Sequence, residues 1–139
     1  MKASEDYLRL CAGLLETVSA QSDVIGQVAD QFAETILRGR IVHLFGSGHR
    51  RIMVEEMSPR YGSFPGWKPI VQLSLTFHNL ATGANGQRQA MYLENVSGFA
   101  ARILRNFDIT GEDSALVISS SGTNVVPVEM AEELQGRGV

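Results

Sequence analysis

The sequence predicts an α/β fold, three layers deep, with helices on both faces of a parallel sheet. Two observations predict it. Short apolar runs at Ile41–Phe45, Ile70–Leu75 and Ala115–Ile118 are separated by stretches with helical spacing; strands alternating with helices imply crossover connections and parallel pairing. The first run is also nearly continuous rather than alternating, as expected of a strand covered on both faces.

The elements follow in order. Leu8, Cys11, Leu15 and Val18 fall at three- and four-residue steps after a capping Ser4, which predicts a first helix. Ile25, Val28, Phe32 and Ile36 predict a second, ended by Arg38 and Gly39 as a cationic last turn and a glycine stop. Both are expected to serve as packing elements or as a dimer surface. The strand Ile41–Phe45 runs into Gly46-Ser47-Gly48-His49, then a helix over residues 50–60 that Pro59 ends or kinks. A Gly-, Ser- and Pro-rich loop over 61–69 leads to the second strand. Residues 76–89 are ambiguous, with Gly83 and Gly86 pointing to loop. Helical spacing returns over 91–107, a turn at 110–113 feeds the third strand, and Ser119-Ser120-Ser121-Gly122-Thr123-Asn124 precedes a helix over 125–134. Gly138-Val139 reads as the start of a further strand, so a truncated chain or an isolated half is expected. The expected organisation is one incomplete domain over 1–139, with a helical segment at 1–39 and an α/β core at 40–139.

Composition narrows the function. The chain has 139 residues, 44% hydrophobic and 19% charged, which fits a globular domain rather than a disordered segment. Twelve Lys and Arg against fifteen Asp and Glu give a net charge of −3, which argues against nucleic acid as a partner. The single Cys11 excludes a disulfide framework and a cysteine-based zinc site, and reads as a small buried apolar residue. His43, His49 and His78 have no metal-site spacing, so no metal is expected. The acidic N-terminus lacks a signal-peptide core and no apolar run reaches the roughly 20 residues of a membrane span. These features predict a soluble, cytoplasmic protein with no membrane partner.

Two strand-to-helix junctions, Gly46–His49 and Ser119–Asn124, are rich in Gly and Ser. In a parallel sheet, ligands bind beyond the C-terminal strand ends. Free backbone N–H groups at a helix start suit a phosphate there, and serine hydroxyls add donors. The alternative is that these residues only cap helices; two such loops in one small sheet tell against it. A dinucleotide fingerprint fails at Arg51, which stands at the third glycine position, and no Walker-type Gly-Lys-Ser or Gly-Lys-Thr occurs. No nucleotide cofactor is expected, nor any other.

The two loops resemble the SIS (sugar isomerase) family, which includes phosphoheptose isomerase and the muramic acid phosphate etherases. The likeness rests on Ile41–Phe45 running into Gly46-Ser47-Gly48 and on Leu116–Gly122, similar to the family's Ser-x-Ser-Gly loop. It covers roughly residues 20–139. A closer likeness is to an uncharacterised subgroup sharing the runs Phe45–His49 and Glu55–Met57. The resemblance implies a flavodoxin-like sheet of five parallel strands, of which the C-terminal ones are missing. It also implies a phosphorylated sugar held by Ser119, Ser120, Ser121, Gly122, Thr123 and Asn124, with Ser47 and Gly48 helping. Many members carry Thr or Ser where this chain has Asn124, whose amide can still donate. Homodimers or tetramers are implied as well.

Aldose–ketose isomerisation through an enediol needs a base and a group that polarises the carbonyl. Glu55 and Glu56 lie roughly 10–12 Å along the helix after the first loop, and Glu56-Met57-x-x-Arg60 resembles a catalytic run of phosphoheptose isomerases. The bland alternative is a solvated acidic face. His49 and His78 are further candidates, Glu94 a weaker one, and His43 a core residue. A sugar-phosphate isomerase is expected, with a non-catalytic sugar-phosphate sensor or an etherase (lyase) as alternatives.

Overall fold

The computed structural model describes residues 2–58, 60–75 and 85–139. They fall into two compact units, Met1–Glu34 and Thr35–Val139.

The first unit carries α1 (Ala3–Ser19) and most of α2 (Ser22–Leu37). The cap of α1 is Lys2 rather than Ser4. The Lys2 N–H donates to the Glu5 carboxylate at 3.2 Å, so the acid that follows Ser4, rather than the serine itself, satisfies the helix start. No residue of α1 is buried. Leu8, Leu15, Val18 and Ile25 are more than half exposed, and Cys11 is half-buried instead of buried.

The second unit is the α/β part. Helix α2 closes as expected at Gly39, whose φ is +74°. The Gly39 N–H donates to the Ile36 carbonyl at 2.9 Å and the Arg40 N–H to the Thr35 carbonyl at 3.0 Å, the paired bonds of a Schellman stop. Then come β1 (Val42–Gly46), a 3-10 turn at Gly48–Arg50, α3 (Arg51–Glu56), β2 (Trp67–Ile70), a second 3-10 turn at Leu73–Leu75, α4 (Asn85–Leu93), α5 (Phe99–Leu104), β3 (Ser114–Ile118) and α6 (Val125–Gly136). The strands form a three-stranded parallel sheet in the order β2-β1-β3.

Every residue of the central β1 is buried, as its apolar run requires. Phe45 joins a core cluster with Ile70, Ala100, Leu104, Val126 and Met130, so α5 and α6 cover one face. Val42, Leu44 and Val54 are buried outside that cluster. Side chains of a strand alternate between faces, and α3 packs on the other side of β1.

Three boundaries differ from expectation. The second strand is Trp67–Ile70, not Ile70–Leu75: it is an edge strand, where a proline such as Pro69 is tolerated, and Leu73–Leu75 winds into a 3-10 turn instead. Residues 85–89, ambiguous in the sequence, begin α4 despite Gly86. The single helix over 91–107 is two helices, because Gly98 adopts φ +78° and Glu129 of α6 accepts from Ser97 Oγ at 2.6 Å and Gly98 N at 2.8 Å. The carboxylate holds the break open.

Candidate functional site

Register sets the site. Phe45 pairs with Ile70 and Gly46 with Ile118, so all three strands end at one edge of the sheet, where both glycine-serine loops emerge. Since β2 and β3 flank β1 on opposite sides, their connections diverge there, the usual position of a ligand in a parallel sheet.

The second loop is self-braced. Ser119 Oγ accepts the Gly122 N–H at 3.1 Å and Ser121 Oγ accepts the Thr123 N–H at 3.4 Å. Gly122 sits at φ +63°, a conformation that favours glycine. Ser120, Ser121, Gly122 and Thr123 are exposed and Ser119 half-buried, so the hydroxyls keep their own protons to donate. Asn124 differs: its side-chain amide donates to Glu94 Oε2 at 2.6 Å, which commits it to the protein.

The first loop is packed rather than open. Gly46, Ser47 and Gly48 are buried. A Cβ on Gly46 would lie 2.8 Å from the Arg50 carbonyl oxygen, so only glycine fits where the turn folds back. Ser47 is fully buried and its Oγ has no hydrogen-bond partner among the described residues. The Arg50 guanidinium donates to Ser120 Oγ, linking the first loop to the second.

The structure thus brings Ser47, Gly48 and Arg50 to the same edge as Ser119–Asn124. His49 is exposed in the 3-10 turn beside them. Glu55 and Glu56 are exposed and paired locally, Glu55 with Arg51 at 3.3 Å and Glu56 with Arg60. No bond joins either to the serine loop. His78 lies outside the described residues. Sequence reasoning passed over Arg50, although a signal was present: Arg51 has Glu55 four residues on, whereas Arg50 has Val54.

A separate polar cluster occupies the opposite end of the sheet. Asp113, nearly fully buried, accepts from the backbone of Ile41 at 3.2 Å and Thr110 at 2.9 Å, and from Arg40 Nε at 3.2 Å. His43 Nε2 lies 3.4 Å from its Oδ2. Burial alone would push the Asp113 carboxyl up, but these donors outweigh it and hold it below its ordinary value. Burial lowers the His43 pKa, and Asp113 only partly offsets that. His43 is the core residue the sequence predicts.

Two clefts lie away from the loops. One, of about 440 Å³, is bordered by Glu129, Glu132, Glu133 and Arg137. The other, of about 310 Å³, is walled by Met57, Phe64 and Trp67 and offers little to a sugar's hydroxyls. Neither of these two clefts includes the loops. Among the described residues no three His, Cys, Asp or Glu are grouped to hold a metal, and no helix is long and apolar enough to cross a membrane.

The family model described as a SIS domain matches residues 6–139. The chain belongs to the SIS domain family. Membership of it suggests a sugar or phosphosugar ligand. The chain is similar to UPF0309 proteins. That of Listeria innocua is 30% identical over 134 residues, 96% of this SIS domain and 52% of the relative. One from Halalkalibacterium halodurans is 33% identical over 111 residues, 80% and 42% of the two chains. That of Geobacillus kaustophilus is 33% identical over 121 residues, 87% and 46%. The chain spans about half the length of the curated relatives it matches.

Proposed function

We propose that this SIS domain binds a phosphorylated sugar at the C-terminal edge of its sheet and isomerises it by the aldose–ketose route. One observation carries the reading: a self-braced hydroxyl loop, Ser119–Thr123, exposed from Ser120 on, stands at the strand edge beside a buried Ser47 hydroxyl with no partner among the described residues and an arginine. The loop binds the phosphate and leaves the sugar to extend along the edge. Glu56 is the proposed base, drawing a proton from one carbon of the enediol pair and returning it to the next. Glu55 and His49 are the neighbouring alternatives for proton transfer. A homo-oligomer is part of the proposal, supported by the exposed leucines of α1.

Thermal melts with a panel of sugar phosphates, each beside its free sugar, test the binding. A ligand at 100 times its Kd stabilises the fold by about 2.7 kcal/mol. Stabilisation by a phosphate ester and not by its free sugar supports the site; equal response to both sinks it. Glu56→Gln then separates enzyme from sensor: in an isomerase, binding persists while turnover collapses.

A further inference from the structure

Most arginines near the first loop are spoken for. Arg51 pairs with Glu55 and Arg60 with Glu56. Arg50 meets no carboxylate among the described residues. Its guanidinium reaches across to the neutral Ser120 hydroxyl, and its Nε is buried without a partner. A guanidinium has five donors in a planar fork and a permanent charge, of which one serine hydroxyl uses little. A half-buried cation left uncompensated costs free energy, and this one is held against the hydroxyl loop. Its backbone is fixed as well, because the Arg50 carbonyl packs on Gly46 at the end of β1. The side chain therefore turns on an anchored stem.

We propose that Arg50 is the charge-reading residue of the site. It leaves Ser120 when a ligand enters and takes two oxygens of the phosphate through its fork, while the Ser120 hydroxyl donates its own proton to the ligand. Hydroxyls and backbone N–H groups recognise oxygens of any tetrahedral ester; the fixed positive charge makes the site prefer a doubly charged one. The inference rests on the reading of Ser119–Thr123 as the phosphate cradle.

The test compares glucose 6-phosphate with glucose 6-sulfate, which share shape but differ in charge, near neutral pH where a phosphate ester carries about −1.5 to −2. Both are titrated into the 15N-labelled chain, wild type and the variants Arg50→Lys and Arg50→Gln, following the backbone amides of residues 119–123. Wild type is expected to bind the phosphate at least about tenfold more tightly than the sulfate. Arg50→Gln weakens the phosphate about tenfold or more and abolishes the preference; Arg50→Lys keeps the preference but binds less tightly. Amide dispersion shows whether each variant is folded, and Arg50→Lys preserves the charge if Arg50→Gln is not. Unchanged preference in Arg50→Gln, with the loop amides still responding, overturns the role of Arg50 and leaves the cradle standing. Silence of those amides in wild type overturns both.

Discussion

Asn124 is tied to Glu94, and Glu94 holds the chain beyond it as well. The amide of Asn124 lies 2.6 Å from Glu94 Oε2, and two residues later the Val126 N–H donates to the Glu94 carbonyl at 2.9 Å. The end of α4 therefore fixes the start of α6, and with it the C-terminal side of the serine loop. Asn124, expected to face a ligand, faces the protein.

Replacing Asn124 by Ala leaves a buried carboxylate short of a donor, and is expected to cost about 1.5–3 kcal/mol in urea unfolding. Asn124→Asp sets two carboxylates face to face. It should be worse at neutral pH and recover part of its stability as the pair takes up a proton on acidification. A variant whose loss relative to the wild type does not change with pH refutes the contact.

Stability should fall in two stages on acidification. His43 has a lowered pKa in the fold, so its contribution is complete above the ordinary value of about 6.5 and is lost as pH falls below it. Asp113 is also lowered, and its contribution is lost further down, below an ordinary carboxylate value of about 4. In His43→Gln the upper stage should vanish while the lower one stays. Asp113→Asn should cost about 3 kcal/mol near neutral pH, since it breaks a buried charged network. Denaturant midpoints across the pH range read both.

Two glycines should fail for different reasons. Gly122→Ala meets nothing within 4 Å but must hold φ +63°, a strain of about 1 kcal/mol. Gly46→Ala carries no such strain, yet its Cβ would lie 2.8 Å from a backbone oxygen, which forces the turn to shift at a cost of about 1–3 kcal/mol. Gly46→Ala is therefore expected to be at least as destabilised, and to displace Arg50 too. The reverse order in thermal melts would mean that the first loop gives way more easily than its packing implies.

The apolar face of α1 should be covered in a homo-oligomer. Leu8 is 66% and Leu15 71% exposed, more apolar surface than one helix commonly leaves in water. Light scattering should give a multiple of the chain mass, reduced to a single chain by Leu8→Glu with Leu15→Glu. A wild-type monomer would remove the oligomer from the proposal.

Much of this was legible beforehand. The α/β class, the central strand and both loops follow from periodicity and glycine placement, because burial on two faces leaves a nearly unbroken apolar run. The second strand was less legible, since Pro69 and Lys68 look like loop unless the strand is known to be an edge. The break at Gly98 depends on Glu129, thirty-one residues away in sequence, and no local pattern carries such a contact. In the site, the hydroxyls of the second loop were readable from composition. That Asn124 turns inward and Arg50 turns across were not, because each follows from a partner in another element.

The Asp113 cluster has a consequence for the far edge of the sheet. Asp113 holds Ile41, and the Ser114 N–H donates to the Ile41 carbonyl at 3.0 Å; together they lock β3 against β1 at their first residues. A slip of one residue would move Ser119 about 3.3 Å relative to Ser47. The sheet works as a pair of callipers: the two loops proposed to grip a phosphate open only as far as a pin at the opposite end allows.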